Sequence, residues 1–512
     1  MKTYFLSLPL LFSACFCFAQ SPSERFAETI EAEDLKAHLY FLADDLLEGR
    51  ATTKRGQKIA AAYIRSQFMR LGLPGGNQGE YFQTYYLKEV KVGGGSLTVA
   101  KEKFNYKDDF LPGLQATPPA TLPTDLIFVG YGLSEEGYDN LAGLDLTGKT
   151  VIMLAGSPSA VAEPDNLYQK FRFWAQRAPE LEARGASAVI TVLSDQAYKI
   201  IKRFAGRSRT ITSDSEDGGM GQVYVSEAVG EALLNAAKTS MAKVKAELET
   251  SASVPKLNFK KAKFTYSCDV DISSDPAENV LGFLEGTDKK DEIIVITSHY
   301  DHIGLTSKGE INNGADDDGS GTSTVLELAE AFTEAARRGY RPRRSILFMT
   351  VSGEEIGLLG SEFYANNPIF PIENTVANLN IDMIGRVDPK YIESADSANY
   401  VYIIGSDKLS SELHAISETA NDTYTDIVLD YTYNDPNDPN RYYYRSDHYN
   451  FASKGIPVIF YFTGTHPDYH RPTDTIEKIN YDKMAHIGKL VFHTAWELAN
   501  REQRIKVDSN KK

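Results

Sequence analysis

At 512 residues, with 42% hydrophobic and 24% charged residues, the chain is too long for one small domain and has apolar material for a large core. A formal charge of −16 argues against nucleic acid or an anionic membrane surface as a partner.

Residues 1–19 read as a secretory leader. Lys2 gives a minimal basic start, Tyr4–Phe18 is apolar but too short to span a bilayer, and Cys17-Phe18-Ala19 has small residues at both positions of a cleavage site. Cleavage there would leave Gln20 first, remove one positive charge and leave Cys268 as a lone cysteine, with no internal disulfide. A lipoprotein leader ending at Cys15 is the competing reading. Ser13 and Ala14 suit it, but Phe12 stands where a branched aliphatic residue is expected. The chain is expected to be exported, to a periplasm or the medium, and no later stretch is long and apolar enough to cross a membrane.

Helical periods run through residues 27–47 (Leu35, Leu39, Leu42, Leu46) and Gly56–Leu73 (Ala60, Ile64, Phe68, Leu71). Leu73-Pro74-Gly75-Gly76 closes the second. Strand-like segments follow at Tyr81–Val92 and Ser96–Val99. Four prolines between Leu111 and Pro123 then break every period and mark a boundary, so that 20–111 opens one domain and 112–258 forms an insert. The insert shows short strands (Leu126–Tyr131, Thr150–Leu154, Ala188–Leu193), helices (Ala175–Arg184, Ser226–Lys238) and a polar stretch, Ser208–Gly221. It groups no ionisable residues as a site would, and reads as a self-contained β-rich module. Residues 259–512 return to the first domain with strand patterns at Lys263–Ile272 and Asn279–Leu284. Asn434–Asn440 (NDPNDPN) reads as an exposed loop.

Four apolar runs in this last part end at potential metal ligands. Ile293–Thr297 leads to His299 and Asp301, then to Asp316-Asp317-Asp318 and an amphipathic helix with Val325, Leu328, Phe332 and Ala336 on one face. Residues 345–352 lead to Glu354-Glu355, residues 375–381 to Asp382, and Pro457–Thr463 to His466 and His470. Strand ends of one open sheet converge in space, which is where such sheets bind ligands. Two imidazoles and three carboxylates suit two adjacent zinc ions sharing a bridging carboxylate. Metals ~3.5–4 Å apart can clamp an attacking hydroxide and a carbonyl oxygen. A carboxylate outside the metal shell can serve as general base, and the adjacent glutamates can divide these two roles. Asp301 is placed to accept the second N–H of the His299 ring. A mononuclear site is compatible with the same residues. No G-x-S-x-G elbow, P-loop or G-x-G-x-x-G fingerprint is present.

SHYDH (298–302), GADDDGSG (314–321), SGEEIGLLGS (352–361), NIDMIG (380–385), SDHYNF (446–451) and HRPTDT (470–475) together resemble the zinc aminopeptidases of peptidase family M28, in order, spacing and flanking residues. Residues 24–87 resemble that family's N-terminal helices. FVGYGL (128–133), YDNLAGLDLTGKTVIML (138–154) and ARGASAVITV (183–192) resemble the protease-associated (PA) domain. The resemblance implies that His299 and Asp382 hold one zinc, Glu355 and His470 the other, that Asp317 bridges them, and that Glu354 is the general base. It also implies an oxyanion-steadying tyrosine before the SDH triplet, a position held by Tyr443 with Tyr442 and Tyr444 beside it. His302, His448 and His466 would support the site rather than ligate.

The expected architecture is an α/β catalytic domain, with a mixed sheet flanked by helices, carrying an inserted PA domain. The expected activity is a two-zinc metallo-aminopeptidase acting on peptide substrates through a zinc-bridged hydroxide and a glutamate base. A carboxypeptidase or dipeptidase on the same site is the nearest alternative. A one-zinc enzyme like glutaminyl cyclase and a non-catalytic receptor-like protein stand further off, since no ligand position is lost.

Overall fold

The computed structural model describes residues 20–113, 119–135, 137–164, 167–205, 209–213 and 220–509. The leader read in residues 1–19 lies outside them. The chain divides into two compact units, one running to Thr84 and resuming at Ala277, the other spanning Tyr85–Pro276. The second therefore contains the 112–258 segment together with strand residues on both sides of it.

The first unit is built on helices α1 (Ala32–Leu42) and α2 (Arg55–Arg70) and seven neighbouring strands of a larger mixed sheet: β1 (Thr265–Leu284, from Ala277 onward in this unit), β2 (Lys289–His299), β3 (Arg344–Val351), β4 (Thr375–Ile381), β5 (Tyr400–Ile404), β6 (Val428–Asp430) and β7 (Val458–Phe462). Their order across the sheet is β6-β5-β7-β4-β2-β3-β1. The central four, β7-β4-β2-β3, run parallel, while β5 and β1 are antiparallel to their inner neighbours. Helix α3 (Gly321–Arg337) follows β2, and α4 (Tyr481–Asn500) ends the unit.

Unbroken apolar runs suit strands buried on both faces. Residues alternate between two cores: Ile294, Ile296, Ile346 and Phe348 join Val325, Leu328 and Phe332 of α3, whereas Ile293, Val295, Leu347 and Met349 join Tyr364 and Phe451. At about 1.5–3 kcal/mol for each fully buried side chain, this two-sided burial is the main force holding the central strands in register.

The second unit has a five-stranded sheet in the order Phe110–Pro112, Gly221–Val225, Ala188–Val192, Thr150–Leu154, Leu126–Phe128. Only the Phe110–Pro112 pairing is antiparallel. Parallel neighbours need crossovers, and helices Leu167–Ala175, Ala178–Ala183 and Asp195–Ala205 supply two of the three, so the unit carries more helix than a β-rich reading anticipates. The helix expected at Ala175–Arg184 begins only at Ala178, because Pro179 suits a first turn and not a helix interior. Two pairs of expected strands are continuous instead, as Phe82–Val99 and Thr265–Leu284. Gly93–Gly95 and Pro276 weaken a strand without ending it. Among the described residues no helix is long and apolar enough to cross a membrane.

Candidate metal centre

Strand register sets the site. His299 pairs with Val351, Thr297 with Asn380, and Asn380 with Phe460. The ends of the four parallel strands thus come level, with His299 beside Asp382 and the Gly353-Glu354-Glu355 turn just beyond β3.

The three aspartates after β2 separate into different roles. Asp318 accepts backbone N–H bonds from His299 (3.1 Å), Gly321 (2.8 Å) and Met383 (3.1 Å) and ties the loop to two strand ends. Asp316 accepts from Gly385 N–H at 2.6 Å. The N–H groups of Asp316 and Asp317 both donate to Asp474, at 3.0 and 3.3 Å. Only Asp317 is left to face both imidazoles, with Oδ1 3.3 Å from His299 Nε2 and Oδ2 3.1 Å from His470 Nε2. Gly314 makes this turn possible. Its φ is +60°, and a Cβ there would lie 2.3 Å from the Asp317 carbonyl oxygen and 2.6 Å from the His302 ring.

Gly353, at φ +75°, aims the glutamates apart. Glu354 Oε2 lies 3.9 Å from His299 Nε2. Glu355 Oε2 lies 3.0 Å from His470 Nε2, and its Oε1 lies 2.6 Å from His302 Nδ1. Asp382 Oδ1 is 3.7 Å from His299 Nε2. All five residues expected as ligands and the expected base are therefore brought together.

Among the described residues, two groups have donor atoms close enough to share a cation: His299, Asp318 and Asp382, and His302, Asp317 and Glu355. They differ from the expected set by including Asp318 and His302 and by leaving out His470, which lies 3.1 Å from Asp317 and 3.0 Å from Glu355. The three backbone N–H bonds on Asp318 mark it as a brace for the loop. His302 approaches one oxygen of Glu355 and His470 the other, and the His302 contact lacks hydrogen-bond geometry.

The electrostatics are those of a site made for positive charge. Burial pushes the Glu354 carboxyl well above its ordinary range, and Glu355 and Asp382 add to this against His299. Burial also raises Asp317, but His299, His302 and His470 outweigh it and hold the carboxyl well below the usual range. Burial lowers His470, yet Asp317 and Glu355 carry it up to about 10. Asp317 Oδ2 and Glu355 Oε1 are buried without a hydrogen-bond partner. Converging carboxylates with orphaned oxygens, completed by imidazoles, are the donor chemistry of zinc, and the residues present fit it.

Several further groups support the site. Ser446 donates to Asp382 Oδ2 at 2.7 Å and accepts from Asn380 Nδ2 at 2.9 Å, which leaves Asp382 Oδ1 turned to the site. Thr52 donates to Asp301 Oδ2 at 2.6 Å, and Asp301 Oδ1 accepts from Glu354 N–H at 3.3 Å. The carboxylate of Asp301 thus steadies Glu354. It is the Asp301 backbone carbonyl, at 3.1 Å, that meets His299 Nδ1, with the carboxylate further off at 3.7 Å. Buried Arg50 donates to the carbonyls of Asn313 (2.7 Å) and Gly314 (2.9 Å), tying residues after α1 to the aspartate loop. The SDH serine was in plain view in a quoted motif. The N-terminal partners lie some 250 residues from their acceptors and leave no local trace.

A cleft opens on the site, lined by His299, Asp317, Glu354, Asp382 and Met383, with Tyr442, Arg445, Phe460, Phe462, Thr465 and Tyr469 as its wall. Tyr443, expected as the oxyanion tyrosine, is not among the residues lining this cleft. Its ring packs against His448, Tyr444 and Tyr449 instead. Residues 442–444 form one 3-10 turn, whose consecutive side chains point about 120° apart, so a single one faces the cleft. Asp438, in the loop read as exposed, is buried and accepts the Tyr442 N–H at 3.0 Å.

Residues 279–495 match the model of Peptidase family M28. This part of the chain is M28 zinc aminopeptidase-like. Aminopeptidase YwaD of Bacillus subtilis is 27% identical over 243 residues, which are 46% of this chain and 48% of that protein. A probable leucine aminopeptidase of Trichophyton verrucosum is 32% identical over 217 residues, 41% of this chain and 55% of that one. The chain spans about half the length of the curated relatives it matches. Among solved structures, an aminopeptidase from Aneurinibacillus sp. strain AM-1 shares the fold, with a TM-score of 0.53 and 20% identity over 95% of this chain and 98% of that one.

Proposed function

We propose that this protein is an exported two-zinc aminopeptidase that hydrolyses the N-terminal peptide bond of its substrates. The observation that carries the reading is the Asp317 carboxylate set between His299 and His470, one oxygen to each, with Asp382 on one side and Glu355 on the other. His299 and Asp382 would hold one zinc, Glu355 and His470 the other, and Asp317 both. Zinc, when bound, supplies Lewis-acid charge to an attacking water and to the scissile carbonyl.

Glu354 is the proton carrier. Its carboxylate takes a proton from the attacking water, and the same oxygen returns it to the leaving amine nitrogen. The Asp301 brace on its backbone keeps it facing the cleft. Tyr442 and Tyr469, in the cleft wall, join Tyr443 as candidates to donate a hydrogen bond to the developing oxyanion. Export rests on residues 1–19, and residues 112–258 are read as a PA domain on the motifs quoted above.

The test is a panel of free and amino-blocked peptides assayed with zinc, before and after chelation. Cleavage of free peptides that is lost on chelation and restored by zinc supports the proposal. Cleavage of amino-blocked peptides at their C-terminal end would move the reading to a carboxypeptidase.

A further inference from the structure

The wall of the cleft carries one charged side chain that neither hydrolysis nor metal binding uses. Arg445 follows the Tyr442–Tyr444 turn and lines the cleft beside Tyr442, Phe460, Phe462, Thr465 and Tyr469. Its guanidinium lies over the Tyr442 ring, 4.9 Å from the centroid. That ring is itself fixed, through the Asp438 bond to its backbone and a 3.3 Å contact between its hydroxyl and Thr465 Oγ1. Arg445 is exposed and makes no ion pair among the described residues. The contrast is Arg386, which is held by Asp468 at 2.7 Å and Asp474 at 3.6 Å.

A planar cation stacked on an anchored aromatic ring, with its N–H fork unused, is suited to a carboxylate. The protein's own carboxylates in this cleft (Asp317, Glu354 and Asp382) are all engaged at the metal centre. The remaining wall is aromatic and apolar, so an incoming carboxylate would find Arg445 as its partner away from that centre. Arg445 lines the same cleft as Glu354 and Asp382, which keeps any group it binds near the scissile bond.

We infer that Arg445 is a specificity residue that recognises a carboxylate of the substrate, so that the site favours peptides with an acidic N-terminal side chain or dipeptides with a free C-terminus. This rests on the peptidase reading given above. The two sources present the same chemistry to the guanidinium, and the substrate decides between them.

The test measures kcat and KM for glutamyl and leucyl anilides, and for leucyl-glycine and its amide, in the zinc-loaded wild type, Arg445→Met and Arg445→Lys. One of the two pairs is expected to show a carboxylate preference in the wild type. Arg445→Met should reduce that preference by about 10-fold, mainly through KM, and Arg445→Lys should restore part of it. Added salt should raise KM for the carboxylate-bearing member in the wild type and not for the neutral one. Metal content and circular dichroism confirm that the variants are folded and loaded. A wild type with no preference in either pair, or a variant that slows all four substrates equally, overturns the inference and leaves the peptidase reading intact. A zinc-loaded wild type that hydrolyses none of the four overturns the peptidase reading itself.

Discussion

Among the described residues two sheets have a parallel core, and only one of them opens on chemistry. In the Tyr85–Pro276 unit the strand ends run into Ala155, Leu193 and Ser226. Its buried Arg177 turns to backbone, donating to the carbonyls of Tyr131 (2.6 Å) and Gly156 (2.8 Å). In the other unit the corresponding ends deliver His299, Glu354-Glu355, Asp382 and His470. All nine histidines lie outside residues 85–276. Parallel architecture supplies a crevice in both cases; a site follows only where strand ends carry donors that leave oxygens unpaired.

The largest effect expected from this contrast is metal removal. Chelation should reduce hydrolysis to background, and zinc should restore it, with two metals per active chain by elemental analysis. One tightly bound metal in a fully active chain would break the dinuclear side of the comparison. Asp317→Ala, which removes both oxygens set between the imidazoles, should behave like the chelated enzyme.

Next in size are the glutamates. Glu354→Ala should keep its zinc and its substrate affinity while kcat falls ~10²–10⁴-fold, or further because the same group returns the proton. Glu355→Ala should lose affinity for one metal, with activity partly recovered at high zinc. Near-normal kcat in Glu354→Ala would remove the base from the mechanism, whatever the metal content.

Ser446→Ala sharpens the comparison at a residue that touches no metal. Loss of its bond to Asp382 should weaken zinc binding or activity by about 10–100-fold, the usual cost of removing an outer partner of a ligand. A zinc titration showing unchanged affinity, together with unchanged turnover, would show that Asp382 is positioned by the strand alone.

A smaller effect concerns acid stability and follows from where the histidines lie. Burial lowers the His493 imidazole to about 4, against the pull of Glu24 and Glu28, while its Nδ1 meets Ser23 Oγ at 2.6 Å. The unfolded chain therefore binds a proton near pH 6.5 that the folded chain takes up only near 4. Stability contributed here is intact at pH 7, falls as pH drops through this window by at most about 1.4 kcal/mol per unit, and levels off below it. Thermal melts of His493→Gln should show a shallower loss between pH 6.5 and 4 than the wild type. Parallel curves would place the acid sensitivity elsewhere.

The smallest effect is expected in the second unit. Ser194→Ala and Gln222→Ala should leave turnover of a small aminoacyl anilide within a few fold. A loss comparable to that of a zinc ligand would mean that this unit builds part of the active site, and the contrast would fail.

The four central strands, the helix after the aspartate loop and the six residues His299, Asp317, Glu354, Glu355, Asp382 and His470 were all legible in the chain itself. Strands buried on both faces must be continuous apolar runs, and parallel strands must end together, so local pattern suffices to bring the donors to one edge. Tertiary structure decided what each donor faces. Asp316, Asp317 and Asp318 are chemically alike, and only the backbone N–H groups of Met383, Gly385 and His299 separate the two braces from the carboxylate that faces the imidazoles. Tyr442, Tyr443 and Tyr444 are alike in the same way, until one turn of 3-10 helix sends a single ring into the cleft. Thr52 and Arg50 act on residues about 250 positions away, where no sequence period reaches. Apolar periodicity repeats along the chain and can be read from it, whereas a hydrogen bond joins two particular atoms and exists only once the fold has brought them together.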